Sequence, residues 1–179
     1  MRNRSFDEGD LTAWSFVGQK GSMRKCTDKM LNEKQKNALL LTVGESGEGV
    51  ENEGFWGMNI ERGTQYKLSF WVRVVQGNPE TVTAMLVDKN GQNIGEAKVA
   101  VNSTSKWQKC AAVITATGDD PQGHLRLTVK NPSEVALDVV SLFPPTFKNR
   151  ENGCRPQLAQ MLADMKPKFM RFPGGCYVE

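Results

Sequence analysis

A chain of 179 residues is long enough for one domain with a sizeable core, or one domain with a short attachment. Hydrophobic residues at 39% and charged residues at 24% exclude a disordered tail. Lys+Arg of 23 against Asp+Glu of 20 gives +3 (23 − 20), too little and too scattered to argue for a nucleic-acid partner.

No apolar run approaches the roughly 18 residues that span a bilayer, so no membrane partner is expected. The start, MRNRSFDEGD, has no apolar segment after its charges and does not read as a signal peptide. Cys26, Cys110, Cys154 and Cys176 are at least 22 residues apart, which fits no zinc or thioredoxin spacing. Reduced thiols and one or two disulfides both remain open.

In chain order, 10–17 (DLTAWSFV) reads as a first short strand. Residues 18–36 are polar and aperiodic and read as a long loop, with Lys20, Arg24, Lys25, Lys29, Lys34 and Lys36 as a solvated basic set around Asp28 and Glu33. NALLLTV, 37–43, fits a buried strand, and 44–54 reads as a Gly-rich acidic loop. FWGMNIE, 55–61, reads as a strand. QYKLSFWVRVV, 65–75, is the clearest strand: Tyr66, Leu68, Phe70, Val72 and Val74 share one face at period two, with Lys67, Ser69, Trp71, Arg73 and Val75 on the other.

TVTAMLVD, 81–88, is rich in β-branched residues. Asn90-Gly91 signals a hairpin that pairs 92–101 back onto it, because both central turn positions need φ > 0. Lys106–Thr115, HLRLTVK at 124–130 and EVALDVVSLFP at 134–144 complete about nine strands. No helix is expected before residue 150. This is the pattern of an all-β, antiparallel two-sheet sandwich, most simply a jelly roll. After Pro144-Pro145, Arg155-Pro156 starts a helix whose stripe is Leu158, Met161, Leu162 and Met165. KFMRF, 168–172, reads as a short strand, and Pro173-Gly174-Gly175 as a turn. The expected division is therefore 1–145 and 146–179.

Several of these stretches resemble a known family. Phe143-Pro144-Pro145-Thr146-Phe147-Lys148-Asn149-Arg150, then Arg155-Pro156 and Leu158, with MLADMKPKFMRFPGG at 161–175, resemble the plant-type α-L-arabinofuranosidases of glycoside hydrolase family fifty-one. NRSFDEG (3–9), GFWGMNI (54–60) and QYKLSFWVR (65–73) are similar to parts of the β-sandwich inserted in those enzymes. The resemblance implies that residues 3–143 form that carbohydrate-binding-like, galactose-binding-like insert. It implies that 155–177 are an early helix and strand of the (β/α)₈ catalytic barrel. The parent enzymes remove terminal arabinofuranosyl units from cell-wall arabinoxylan, arabinan and arabinogalactan through two glutamates, which the resemblance puts on barrel strands beyond this sequence. Such retaining chemistry needs two carboxyl groups roughly 5–5.5 Å apart, so Glu179 does not fill either role. The chain alone is expected to be inactive, with the remaining barrel as its implied partner. The parent family is extracellular or cell-wall located.

The resemblance also suggests sites. Arg171 matches an arginine that lines the arabinose site, while Cys176 stands where the family has asparagine. A thiol replaces the two donors and acceptor of an amide there. Asp7 and Glu8, with Asp138, match residues that hold a structural calcium in related modules; a hard cation suits such oxygens. The alternative is a pair of solvated carboxylates plus a strand aspartate capping a loop; Asp138, between Leu137 and Val139, faces opposite to them and need not be buried. No organic cofactor is implied. Trp14, Trp56, Trp71 and Trp107 are the possible sugar platforms, with Trp71, among polar neighbours, and Trp56 leading, and with a place in the core as the favoured alternative for any one of them. His124 lacks any partner at metal or general-base spacing and reads as a sheet or surface residue. Asn3 and Asn102 match the glycosylation acceptor pattern. Three functions compete: a carbohydrate-binding or scaffold portion of an arabinofuranosidase, part of an active hydrolase, or a protein-interaction sandwich.

Overall fold

The computed structural model describes residues 1–8, 10–102, 104–151 and 153–169. Among these, eleven strands form two sheets. They are β1 (Trp14–Val17), β2 (Ser22–Cys26), β3 (Ala38–Val43), β4 (Gly49–Asn52), β5 (Met58–Ile60), β6 (Gln65–Gly77), β7 (Thr81–Val87), β8 (Asn93–Ala100), β9 (Gln108–Thr115), β10 (Asp120–Val129) and β11 (Ser133–Phe143). The first sheet runs β1-β4-β10-β7-β8, with β5 also on β10; the second runs β2-β3-β11-β6-β9. The strand pairs within both sheets are antiparallel. This is the all-β sandwich expected from the sequence.

Period-two alternation fills the interior. Val50, Leu125, Leu127, Val82, Ala84 and Leu86 come from the first sheet, and Leu39, Leu41, Tyr66, Leu68, Phe70, Val72, Val135 and Leu137 from the second. Burying each Leu- or Phe-sized side chain is worth roughly 1.5–3 kcal/mol against the chain entropy lost on folding.

Two stretches read as loops contain strands. β2 lies inside 18–36, and β4 inside 44–54. β2 is an edge strand, so Arg24 and Lys25 remain exposed while its backbone pairs with β3. Polar edge strands of this kind resist further pairing. β4 pairs on both sides, and a Cβ on Gly49 would run into the Leu127–Thr128 backbone of β10. Conversely, the expected strand at 55–61 shortens to β5, because residues 53–57 make a tight turn.

Glu48 ties two turns together. Its Oε1 accepts from the backbone N–H of Gln19, Lys20 and Gly21 at 2.6–3.1 Å, and its Oε2 from Gly44 and Glu45 at 2.7 and 3.2 Å. Burial alone would raise this carboxyl, but the backbone donors outweigh burial and hold it down at about 2.

Two compact units are present, Met1–Pro144 and Pro145–Glu179. In the second, a 3₁₀ turn (Phe147–Asn149) precedes α1 (Pro156–Asp164), which has proline in its first turn. Leu158, Met161, Leu162 and Met165 are all exposed. Lys168 and Phe169 are not in a strand. The rest of that expected strand, with Arg171, Cys176 and Glu179, lies outside the described residues.

Candidate functional site

On β10, Leu125, Leu127 and Val129 point into the core, which turns His124, Arg126 and Thr128 to the outer face of the first sheet. Register puts Arg126 opposite Glu51 of β4. The Glu51 carboxylate is shared: Oε2 accepts from Arg126 Nε at 2.7 Å, and Oε1 lies 2.6 Å from His124 Nδ1.

Beside this group, residues 53–57 form a turn fixed by backbone chemistry. Asn52 Oδ1 accepts from Gly54 N at 3.0 Å, and Gly57 N donates to Glu53 O at 3.0 Å. Gly57 has φ +90°, and a Cβ there would strike the Gln122 backbone. The turn holds out Phe55 and Trp56, which are 63% and 90% exposed. Phe55 is steadied by the Arg2 guanidinium, 5.8 Å from the ring centroid. Trp56 borders a cavity of about 400 Å³ shared with Glu53, Phe55, Lys89, Gln122 and His124. Asp120 Oδ2 and Oδ1 accept from Lys89 N and Gln122 N, at 3.0 and 2.6 Å, fixing two walls. Those bonds hold the Asp120 carboxyl below its usual range. An exposed indole face beside clustered donors and acceptors can stack on the apolar face of a sugar while its hydroxyls are bonded.

The other tryptophans are buried or half-buried. Trp14 is buried, its Nε1 donating to Asn3 O at 3.0 Å. Trp107 Nε1 donates to Lys29 O at 2.8 Å, and its ring carries the Arg73 guanidinium at 5.5 Å. Trp71 is half-buried on the outer face of the second sheet, between Asp138 and Lys109 in register. Residues 27–37 cross over part of that face. Arg73 donates to Asp28 O at 3.1 Å, and Met30 packs on Cys26, Ala38, Leu40 and Ala136. Trp56, rather than Trp71, is therefore the open platform.

Asp138 departs from the sequence reading, which left it free to face solvent. It is fully buried, at a bulge where Val139 takes φ +47°. Oδ1 accepts from Val139 N at 2.7 Å, while Oδ2 has no partner. Burial raises its carboxyl to about 6, opposed by the Val139 amide and aided by the negative charge of Asp7. A buried carboxylate oxygen without a donor, with a second carboxylate nearby, suits a hard cation. Asp7 also accepts from Ser5 Oγ at 2.7 Å, and Glu8 is paired with Arg2 at 3.3 Å. Asp138 and Asp7 are thus the residues that would hold a cation, with Glu8 turned to a different partner. No group of three or more His, Cys, Asp or Glu side chains placed to hold a metal ion occurs among the described residues.

Asn3 is buried. Its amide is 8% exposed and spent within the fold, donating to Asp10 O and Thr12 O and accepting from Glu8 N. Asn102, the other match to the acceptor pattern, is exposed. Cys26, Cys110 and Cys154 are free thiols. Cys110 faces the main core and Cys26 the cluster on the opposite side of the same sheet, so these two do not bridge.

Comparison with known proteins accords with this geometry. A family described as a carbohydrate binding domain matches residues 1–134. "Alpha-L-arabinofuranosidase 1" of Arabidopsis thaliana is 34% identical across 100% of the chain and 28% of its own length. "Extracellular exo-alpha-L-arabinofuranosidase" of Streptomyces chartreusis is 39% identical across 99% of the chain and 22% of its own. A solved arabinose-bound α-L-arabinofuranosidase superposes with TM-score 0.86 and 29% identity, covering 98% of this chain and 31% of that one. A xylan-binding domain from Paenibacillus barcinonensis, at TM-score 0.56 and 19% identity over 79% of this chain and 91% of its own, shares the fold. The chain spans under a third of the length of the curated relatives it matches. Through residues 1–134 the chain belongs to the carbohydrate-binding domain family, and over its whole length it is homologous to one segment of the α-L-arabinofuranosidases.

Proposed function

We propose that this chain is the carbohydrate-binding and scaffold portion of an α-L-arabinofuranosidase acting on terminal arabinofuranosyl residues of cell-wall arabinoxylan, arabinan or arabinogalactan. We further propose that the Trp56 cavity holds the glycan. The observation that carries this reading is the 90% exposure of Trp56 beside a polar-walled cavity, in a chain of the carbohydrate-binding domain family. Hydrolysis belongs to the catalytic portion that the relatives carry, and the chain acts with that portion outside the cell. Residues from Pro145 onward, including the exposed Leu158, Met161, Leu162 and Met165, are the part that packs into that portion. Calcium held by Asp138 and Asp7 would brace the bulge of β11 and neutralise its carboxylates; it has no part in bond cleavage.

Affinity electrophoresis in soluble arabinoxylan tests the binding half. Wild type and Trp71→Ala should be retarded, and Trp56→Ala should not. Equal retardation of all three, or of none, would remove the proposed site. Arabinose release from an aryl arabinofuranoside should stay at the buffer level.

A further inference from the structure

The Glu51, His124 and Arg126 group has a consequence for ligand chemistry, which rests on the reading of the Trp56 cavity as a sugar site. An ionised carboxylate accepts hydrogen bonds and donates none. At 2.6 Å from Glu51 Oε1, His124 Nδ1 must therefore carry the proton. Arg126 Nε, at 2.7 Å from the other oxygen, already supplies a cation to Glu51, so the imidazole can donate in its neutral form. The charged groups facing His124 are Glu51 and Glu53 from β4 and the turn after it, Arg126 and Asp120 from its own strand, and Lys89 from the β7–β8 turn. With Nδ1 committed, Nε2 is the imidazole nitrogen left for the cavity that His124 lines with Trp56.

We propose that Glu51 is a positioning residue that locks His124 in the Nδ1–H tautomer, and that the Trp56 cavity takes a neutral sugar whose hydroxyl donates to His124 Nε2. A uronate carboxylate would meet the Nε2 lone pair and the Glu53 carboxylate instead of a donor, so it is disfavoured despite Lys89.

Long-range proton–nitrogen correlation spectra of the uniformly ¹⁵N-labelled full chain at pH 7.5 read the tautomer without any ligand, and His124 is the sole histidine, so assignment is direct. Nδ1 should be protonated and Nε2 bare in wild type, and the preference should vanish in Glu51→Ala. Titration with soluble neutral arabinoxylan should move the Nε2 resonance, and His124→Phe should weaken binding about three- to tenfold, the scale of one neutral hydrogen bond. Polygalacturonate should bind more weakly than arabinoxylan at pH 7.5. An Nε2–H tautomer in the free protein overturns the proposal whatever the sugar result. So does equal affinity of wild type and His124→Phe, or tighter binding of polygalacturonate. If wild type binds neither polymer, the sugar-site reading falls and takes the ligand half of the proposal with it, while the tautomer lock is judged by the spectrum alone.

Discussion

Replacing Asp138 by asparagine isolates a buried carboxyl whose Oδ2 lacks a partner among the described residues. In chelator, its proton is bound more tightly in the folded protein, at about 6, than in the unfolded chain, at 3.8. The stability this group contributes is therefore fully present below about pH 3.8 and is lost as pH rises through about 6. Moving a carboxyl across that interval corresponds to about 3 kcal/mol. Asparagine is neutral throughout, and any fixed cost of its unpaired amide is the same at every pH. The difference in stability between wild type and Asp138→Asn should therefore change by about 3 kcal/mol between pH 3.5 and 7.5, in favour of the variant at high pH. For a chain of this size that is about 6–12 °C in the difference of melting temperatures. The assay is circular dichroism melting of both proteins in EDTA across that range. Adding calcium at pH 7.5 should raise the wild-type melting temperature and leave the variant nearly unmoved, since an ion that binds the folded state stabilises by mass action. Melting curves that stay parallel from pH 3.5 to 7.5 in EDTA would refute the assigned burial. Equal response of both proteins to calcium would remove the cation site.

Other outcomes follow from features already described. Trp56→Ala should lower arabinoxylan affinity at least tenfold in a calorimetric titration while leaving the melting temperature unchanged, because the ring is exposed. Glu48 has a depressed carboxyl, so its contribution is present above about pH 4.5 and fades as pH falls towards 2. Melting temperatures of wild type and Glu48→Gln should differ most near pH 6 and converge on acidification. Gly57→Ala combines φ +90° with a backbone collision and should cost about 1–3 kcal/mol, seen as a lower melting temperature together with weaker arabinoxylan binding. A chain ending at Pro145 should melt within a few degrees of the full chain, since the described strands and their core all precede that point; failure to fold would place the boundary elsewhere.

The strands that could be read from sequence are those buried on one face. β6 shows five apolar residues in strict alternation, and each of them is buried. β2 and β4 were illegible for different reasons. SMRKC is an edge strand with no continuous apolar face, and GVEN is held by neighbours on both sides rather than by its own propensity. Tertiary pairing overrides local preference in such segments. The site was less legible still. Glu51 and His124 are 73 residues apart, and register alone joins them. The alternation of His124, Arg126 and Thr128 with Leu125, Leu127 and Val129 signals an outward row, but nothing in it names the partner strand. Polar neighbours made Trp71 attractive, yet residues 27–37 cross over part of its face; Trp56 is open because glycines force the turn beneath it. The burial of Asp138 depends on a bulge, which carries no signature in Leu-Asp-Val.

The Glu48 knot changes how that end of the sandwich behaves. The chain passes from one sheet to the other between β1 and β2 and returns between β3 and β4, and one side chain fastens both crossings. Sandwich ends usually behave as independent loops, each free to lengthen or drift. Here neither crossing can be lengthened without loosening its companion. The amides of Gln19, Lys20, Gly21, Gly44 and Glu45 should exchange with solvent as one cooperative group, at the pace of the strands rather than of surface turns. Insertions and grafted segments therefore belong in the Asn90-Gly91 hairpin, away from this fastening.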